Sequence, residues 1–409
     1  MKIKQMTNKG RHIERSPLFD TKIGEVDLFT GIMSINYELD DFNHQFQSQK
    51  SNINKDFWDL MHHETFHFIQ IFSTGYLFNI TMNMYNNTLG IVDKLQQSDK
   101  PLKLSTIHAK LSKYKISNEF LKLDKQHEVT INSIDSESSS LYITARDITE
   151  SMVIFSSFRS IHSTVSKKLF NEWSDKKGYS KYLSPFTYAH HILGDSVLNS
   201  FTEFCFWSLN TDNPSSSFIK LLQATGYSGV TEERELDKDD LINILKIEDI
   251  KIVHSIEIYH KFNNVNITHP YFEMYIYKLQ KRAAEKTNST YTLISKPYET
   301  TREVINDFLP QILRLKQGKI RITVPGERNN YVTDNENTLV HVLSLMQAIH
   351  GAILVLTKSI KFPHIQCHHV ECPYHTENVC VQYHRIPISW DKCSFPSLLE
   401  EYLMIEKLF

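Results

Sequence analysis

Glycine and proline are scarce in this chain, with twelve of each among 409 residues. Together they make up about 6%, half the usual share, which excludes a collagen-like, linker-rich or low-complexity chain and favours helices. Cysteine is scarcer still, and five in a chain of this length are too few for a disulfide scaffold. No charge of one sign dominates, since 45 Lys and Arg stand against 47 Asp and Glu, giving a formal charge of −2 and a pI near 6.9. The chain as a whole therefore exerts no pull toward nucleic acid or an anionic membrane. Long hydrophobic runs are missing too. The nearest, Leu343 to Thr357, is interrupted by Ser344, Gln347 and His350 and falls short of the roughly 18 apolar residues that a membrane-spanning helix needs. Met1 to Pro17 is basic and polar with no apolar stretch, so no secretory signal is read there and a cytoplasmic location is expected.

What remains is the composition of a soluble globular protein, 41% hydrophobic and 22% charged, long enough for two or three domains. Alternating apolar residues around Gly24 and Gly31 predict a small β-hairpin. From Lys55 the period changes. Phe57, Leu60, Met61, Glu64, Phe68, Ile71 and Phe72 recur mostly at steps of three and four until Gly75, which predicts a helix, and a second is expected over Leu77 to Gln97. Glu128 to Thr144 reads as a strand pair around the serine-rich turn Ser136 to Ser140, followed by a helix from Ala145 to Ser163. Further helices are expected at 185–194, 196–209, 217–225, 238–264, 269–287, 299–315 and 336–358, with one strand at Lys319 to Val324. The fold class expected is mostly α, of α+β type. Four regions follow: an N-terminal β-hairpin region (1–54), a helical region (55–225), a second helical region (226–360) and a Cys/His-rich C-terminal segment (361–409).

One motif carries chemistry. His63-Glu64-Thr65-Phe66-His67 matches H-E-x-x-H inside the first predicted helix. Residues i and i+4 of a helix project from one face, so His63 and His67 can present two imidazole nitrogens to one Zn²⁺. Glu64 is offset toward the place where a bound water would sit, and a carboxylate there can take that water's proton. Chance would produce the motif roughly 0.06 times in a chain of this composition, so coincidence is a poor explanation.

The motif resembles that of the zincin metallopeptidases, more closely the gluzincin type, in which a Glu from a later helix completes the metal site. The longer string His63 to Gln70, with Ser73-Thr74-Gly75 after it, is similar to a signature of uncharacterised bacterial HExxH proteins. The resemblance covers about a dozen residues. It implies a zincin-like helical core in region 55–225, His63 and His67 as zinc ligands, Glu64 as general base and a protein or peptide as substrate. A third His at the metzincin spacing is absent, which excludes that subfamily.

The third ligand is expected to be Glu150, a carboxylate beside Met152, Val153, Ile154 and Phe155 on a predicted helix, because a buried carboxylate needs a partner. Glu203 is the rival, followed by His190 and His191. Gln70, three residues past His67, is placed to hold a ligand or substrate by hydrogen bond. His62 is expected on the surface or in packing, and the Tyr, His or Arg that would stabilise an oxyanion cannot be chosen among 19 Tyr and 20 His.

The tail is a second candidate metal site. Cys367, Cys372, His375, Cys380 and Cys393, with His368, His369 and His384 among them, suit a closed structural Zn²⁺ site, and an iron–sulfur cluster is the alternative. Two other functions compete with the peptidase. A ferritin-like di-iron bundle would use Glu64-x-x-His67, Glu257-x-x-His260, Glu150 and Glu203, although about 1.3 such E-x-x-H matches arise by chance. A non-enzymatic helical interaction protein would use zinc only to hold itself together.

Overall fold

The computed structural model describes residues 24–26, 28, 33–35, 44, 55–97, 122–131, 139–162, 164–227, 238–252, 311–314, 320–323, 349, 350 and 353. The Cys/His-rich tail, Glu257, His260 and the expected helix at 269–287 lie outside them. Within them the protein is mostly helical with a minor β component, the α+β class expected from the sequence. No described helix is long and apolar enough to cross a membrane.

Strands β1 (Gly24–Val26) and β2 (Met33–Ile35) form the expected antiparallel hairpin. The hairpin does not stand alone. Strand β2 also pairs, through Met33↔Ile322 and Ile35↔Ile320, with a strand that in turn pairs with Gln311–Arg314, so the sheet has four strands. A lone two-stranded hairpin is marginal in water, and the added strands supply what it lacks.

Helix α1 (Lys55–Ser73) is the centre of the molecule, with every residue from Asp59 to Ile71 buried. A helix apolar or buried on all sides must be surrounded. Helix α2 (Gly75–Gln96) follows after Thr74 and packs beside it, and strand β1 lies against it. Strands β3 (His127–Ile131) and β4 (Ser139–Ile143) pair antiparallel from His127↔Ile143 to Ile131↔Ser139. Strand β4 runs directly into α3 (Ala145–Ile161), whose start is fixed by a capping box. The Asp147 backbone N–H donates to Thr144 Oγ1 at 3.0 Å, and the Thr144 N–H donates to Asp147 Oδ2 at 3.0 Å. Helix α3 lies along α1.

Helix α4 (Lys167–Lys177) was not legible as a helix in the apolar pattern. Its sequence is polar, and its buried residues are Phe170 and Ser174. It starts at Ser166, whose Oγ accepts from Leu169 N–H, and ends at Gly178, left-handed at φ 78°. There the Tyr179 N–H reaches Ser174 O at 2.8 Å and the Gly178 N–H reaches Asp175 O at 3.1 Å, a Schellman ending. A 3₁₀ turn (Ser180–Tyr182) leads to α5 (Ser184–Leu193), then α6 (Val197–Leu209), α7 (Pro214–Tyr227) and α8 (Lys238–Ile247).

Helix α8 is shorter than the expected 238–264. It closes with a second Schellman ending, in which Asp249 adopts φ 52° and the Ile250 N–H donates to Leu245 O at 2.9 Å. The chain then meets the α6–α7 connection through a bridge between Ile252 and Thr211. The helix expected over 299–315 is corrected at its end, where Gln311–Arg314 is strand β5 and pairs with β6 (Ile320–Thr323); its earlier residues lie outside the described ones.

The core lies between α3, α4, α5 and α6 and is aromatic. Phe155, Phe170, Phe186 and Phe201 meet edge to face or stacked, with centroids 4.5 to 5.4 Å apart. Such pairs add to the burial of large apolar side chains. They fix the far side of α3, opposite α1, and so hold the two helices that build the site.

Candidate metal centre

His63 and His67 lie one turn apart on α1, wholly inside the protein, and α3 brings Glu150 against them. The Nε2 atoms of the two histidines are 3.1 Å apart, and Glu150 Oε2 is 3.6 Å from His67 Nε2 and 4.0 Å from His63 Nε2. A point equidistant from the three atoms lies about 2.1 Å from each, which is the length of zinc–nitrogen and zinc–oxygen bonds. Among the described residues these three are the group of His, Cys, Asp and Glu spaced for one ion.

The surroundings prepare the donors. Gln70 is buried between the two helices. Its Nε2 donates to the Thr149 carbonyl at 3.0 Å, which leaves its Oε1 to accept from His67 Nδ1–H at 3.1 Å. With the proton held on Nδ1, the Nε2 lone pair of His67 faces Glu150 and His63. The residue read from sequence as a holder of ligand or substrate thus holds His67.

Burial sets the protonation. It pushes both His63 and His67 down to about 3, so both are neutral near pH 7, the form that ligates a metal. Burial pushes Glu150 up to about 7, with His63, Arg146 and Lys181 pulling the other way. A carboxylate this deep is costly to charge alone, and a cation at the equidistant point would offset that cost.

Glu64 is fully buried in the turn between the two histidines. Over His63 lies Tyr179, stacked with its ring centroid 5.6 Å away and the planes 11° apart. Burial first, then the carboxylates of Asp59, Glu64 and Glu150, raise the Tyr179 phenol above its ordinary range, so it remains an O–H donor. The Gly178 turn delivers this tyrosine, and Lys177 anchors the turn to α1 through Asp59 at 2.8 Å and Asp56 at 3.0 Å. Nothing in the linear pattern singled out Tyr179. The signal that could have done so is the helix ending Lys176-Lys177-Gly178 just before it.

The rival ligands stand elsewhere. Glu203 is buried on α6, where the Thr202 hydroxyl donates to its Oε2 at 3.0 Å, outside the His63–His67–Glu150 group. His190 is at the end of α5, its Nε2 donating to Asp195 at 2.9 Å and its Nδ1 accepting from Lys167 at 3.3 Å, and neither it nor His191 belongs to the group. His62, expected on the surface or in packing, is a packing residue. It is buried, not on the surface, stacking on Phe66 at 4.5 Å and pairing with Ser156 Oγ at 3.0 Å.

Compared with known families, characterised proteins and solved structures, the chain matches none.

Proposed function

We propose that the protein is a zinc-dependent hydrolase that cleaves peptide bonds, with His63, His67 and Glu150 as metal ligands and Glu64 as general base. The observation that carries this reading is the meeting of three ligand atoms from α1 and α3 at zinc-bond spacing, with an H-E-x-x-H glutamate in the turn between two of them. Zinc, when bound, supplies Lewis acidity and makes water acidic enough to act as a nucleophile near neutral pH. Glu64 takes the proton of the attacking water and returns it to the departing amine. Tyr179 offers its O–H to the oxygen on which negative charge develops. Gln70 keeps the His67 imidazole in the tautomer that ligates.

A second reading rests on the near-complete burial of the ligands, with side-chain exposures of 2%, 0% and 5% for His63, His67 and Glu150. A metal so enclosed would suit a structural site in a non-enzymatic protein. The two separate in one experiment. Purified protein supplied with zinc is incubated with a denatured protein substrate beside its Glu64→Gln variant. The peptidase reading expects fragments from the wild type and none from the variant, with zinc retained in both; zinc retention with no Glu64-dependent cleavage supports the scaffold.

A further inference from the structure

We propose that the Lys177-Gly178-Tyr179 turn at the end of α4 is a latch over the metal centre, held shut by two ion pairs to α1 and opened to admit the metal; this rests on the metal reading of His63, His67 and Glu150 and not on peptide cleavage. An entrance is needed, because the three ligand side chains are nearly closed to solvent as they stand. The helices that carry them do not supply it. Every residue from Asp59 to Ile71 on α1 and from Ile148 to Arg159 on α3 is buried, so parting those helices would break the close-packed core.

The cover contributed by α4 is built differently. Tyr179 lies flat on His63, ring centroids 5.6 Å and planes 11° apart, yet is itself half-buried, so one residue touches both a metal ligand and solvent. The chain on either side is anchored. Phe170 is buried against Phe155, Phe158 and Phe186, and the Tyr182 carbonyl accepts from the Ser151 hydroxyl on α3. Between these anchors Glu172, Asp175, Lys176, Gly178, Ser180 and Lys181 are exposed, and Ser174 alone is buried. A segment with so few buried contacts opens at a lower free energy than the core beneath it.

Charge holds the segment down. Lys177 Nζ reaches Asp59 Oδ2 at 2.8 Å and Asp56 Oδ1 at 3.0 Å, two carboxylates in successive turns at the start of α1. Asp59 is buried and Asp56 exposed, so the first pair is the firmer and the second is open to screening by solvent. Gly178, next to Lys177, is exposed and left-handed at φ 78°, with nothing among the described residues within 4 Å of where a Cβ would stand, so the turn has room to rearrange. Trp173, with its ring 5.6 Å from that of Tyr179, is a further contact given up on opening. Closing brings the Tyr179 O–H back over His63, where the proposed reaction needs it.

The test reads access to His63 in metal-free protein, apart from turnover. Diethyl pyrocarbonate acylates neutral imidazole, and the rate at each histidine is followed by mass spectrometry of the digested chain. His62 is the internal control, since it packs on Phe66 and Ser156 of α3 and not under the latch. Lys177→Met should raise the rate at His63 about tenfold, the worth of one charge-assisted hydrogen bond, with His62 unchanged. Asp56→Asn removes only the exposed partner, leaves the core untouched and should raise it about two- to threefold. Lys177→Arg should keep His63 slow. A wild-type rate at His63 in both Lys177→Met and Asp56→Asn would overturn the proposal, as would an equal rise at His62, the mark of general loosening. Zinc added before the reagent should shield His63 in the wild type and in Lys177→Met, and labelling that ignores zinc would remove the metal and the latch's purpose with it. Faster labelling of His63 alone, without Glu64-dependent cleavage by the wild type, would keep the latch and remove the peptidase.

Discussion

Replacing Gln70 by Leu tests whether the metal centre is held by its surroundings as described. Two buried hydrogen bonds disappear, His67 Nδ1–H to Gln70 Oε1 at 3.1 Å and Gln70 Nε2–H to Thr149 O at 3.0 Å. Each is worth about 1 kcal/mol net, and the imidazole N–H left without an acceptor adds roughly 1–3 kcal/mol, so the metal-free fold should lose about 3–5 kcal/mol. The effect on metal is separate. Without an acceptor at Nδ1 the proton can move to Nε2, the atom that faces Glu150, and zinc affinity should fall about 10–100-fold, the usual cost of losing a partner behind a ligating histidine. The assay is competition for zinc against a chromophoric chelator, with the His67 tautomer read from its ¹⁵N shifts. Gln70→Glu is the control. Its carboxylate still accepts from Nδ1–H, so the tautomer and most of the affinity should survive although the bond to Thr149 is gone. If Gln70→Leu bound zinc as tightly as the wild type with His67 still protonated on Nδ1, the tautomer reasoning would be refuted.

Three other outcomes follow from the same geometry. The metal-free protein should weaken in mild acid. The folded-state pKa values of His62, His63 and His67 are depressed to about 3, so below their ordinary 6.5 the unfolded chain takes up three protons that the folded one refuses, while Glu150, raised to about 7, takes up one in the folded state and partly compensates. The net loss is roughly 2 kcal/mol between pH 6 and pH 5 by linkage, measurable by urea denaturation at each pH, and a flat profile would contradict the assigned burial. Phe155→Ala, at the meeting point of Phe170, Phe186 and Phe201, should cost about 3–5 kcal/mol and lower the melting temperature even of the zinc-loaded protein. Tyr179→Phe keeps the ring over His63 and removes only the hydroxyl, so kcat should fall about 10²-fold with zinc content unchanged, and full activity in this variant would remove Tyr179 from the reaction.

The parts of the site that were legible in sequence are those where periodicity and polarity conflict. His63, Glu64 and His67 stand in a helix whose other residues call for burial, and Glu150 is a carboxylate among Ile148, Met152 and Val153. Polar groups placed where the period demands apolar ones point to a reason for being there. Tyr179 carried no such conflict. Its closeness to His63 arises from the left-handed turn at Gly178, which does not appear as a distance along the chain. Helix α4 escaped notice because only two of its residues face inward, although Ser166 and Gly178 mark both its ends. Strand β5 was read as helix because a short Ile-Leu pair between polar residues has no decisive period. Its true partner, β6, and the joining of β6 to the distant β2 are nonlocal pairings that no window of sequence contains.

The central claim is that α1 and α3 jointly grip one divalent ion, and native mass spectrometry of protein supplied with zinc tests it most directly. The wild type should carry one zinc more per chain than His63→Ala, His67→Ala or Glu150→Ala, and each single change should remove that ion. Equal zinc content in the wild type and all three variants would contradict the account.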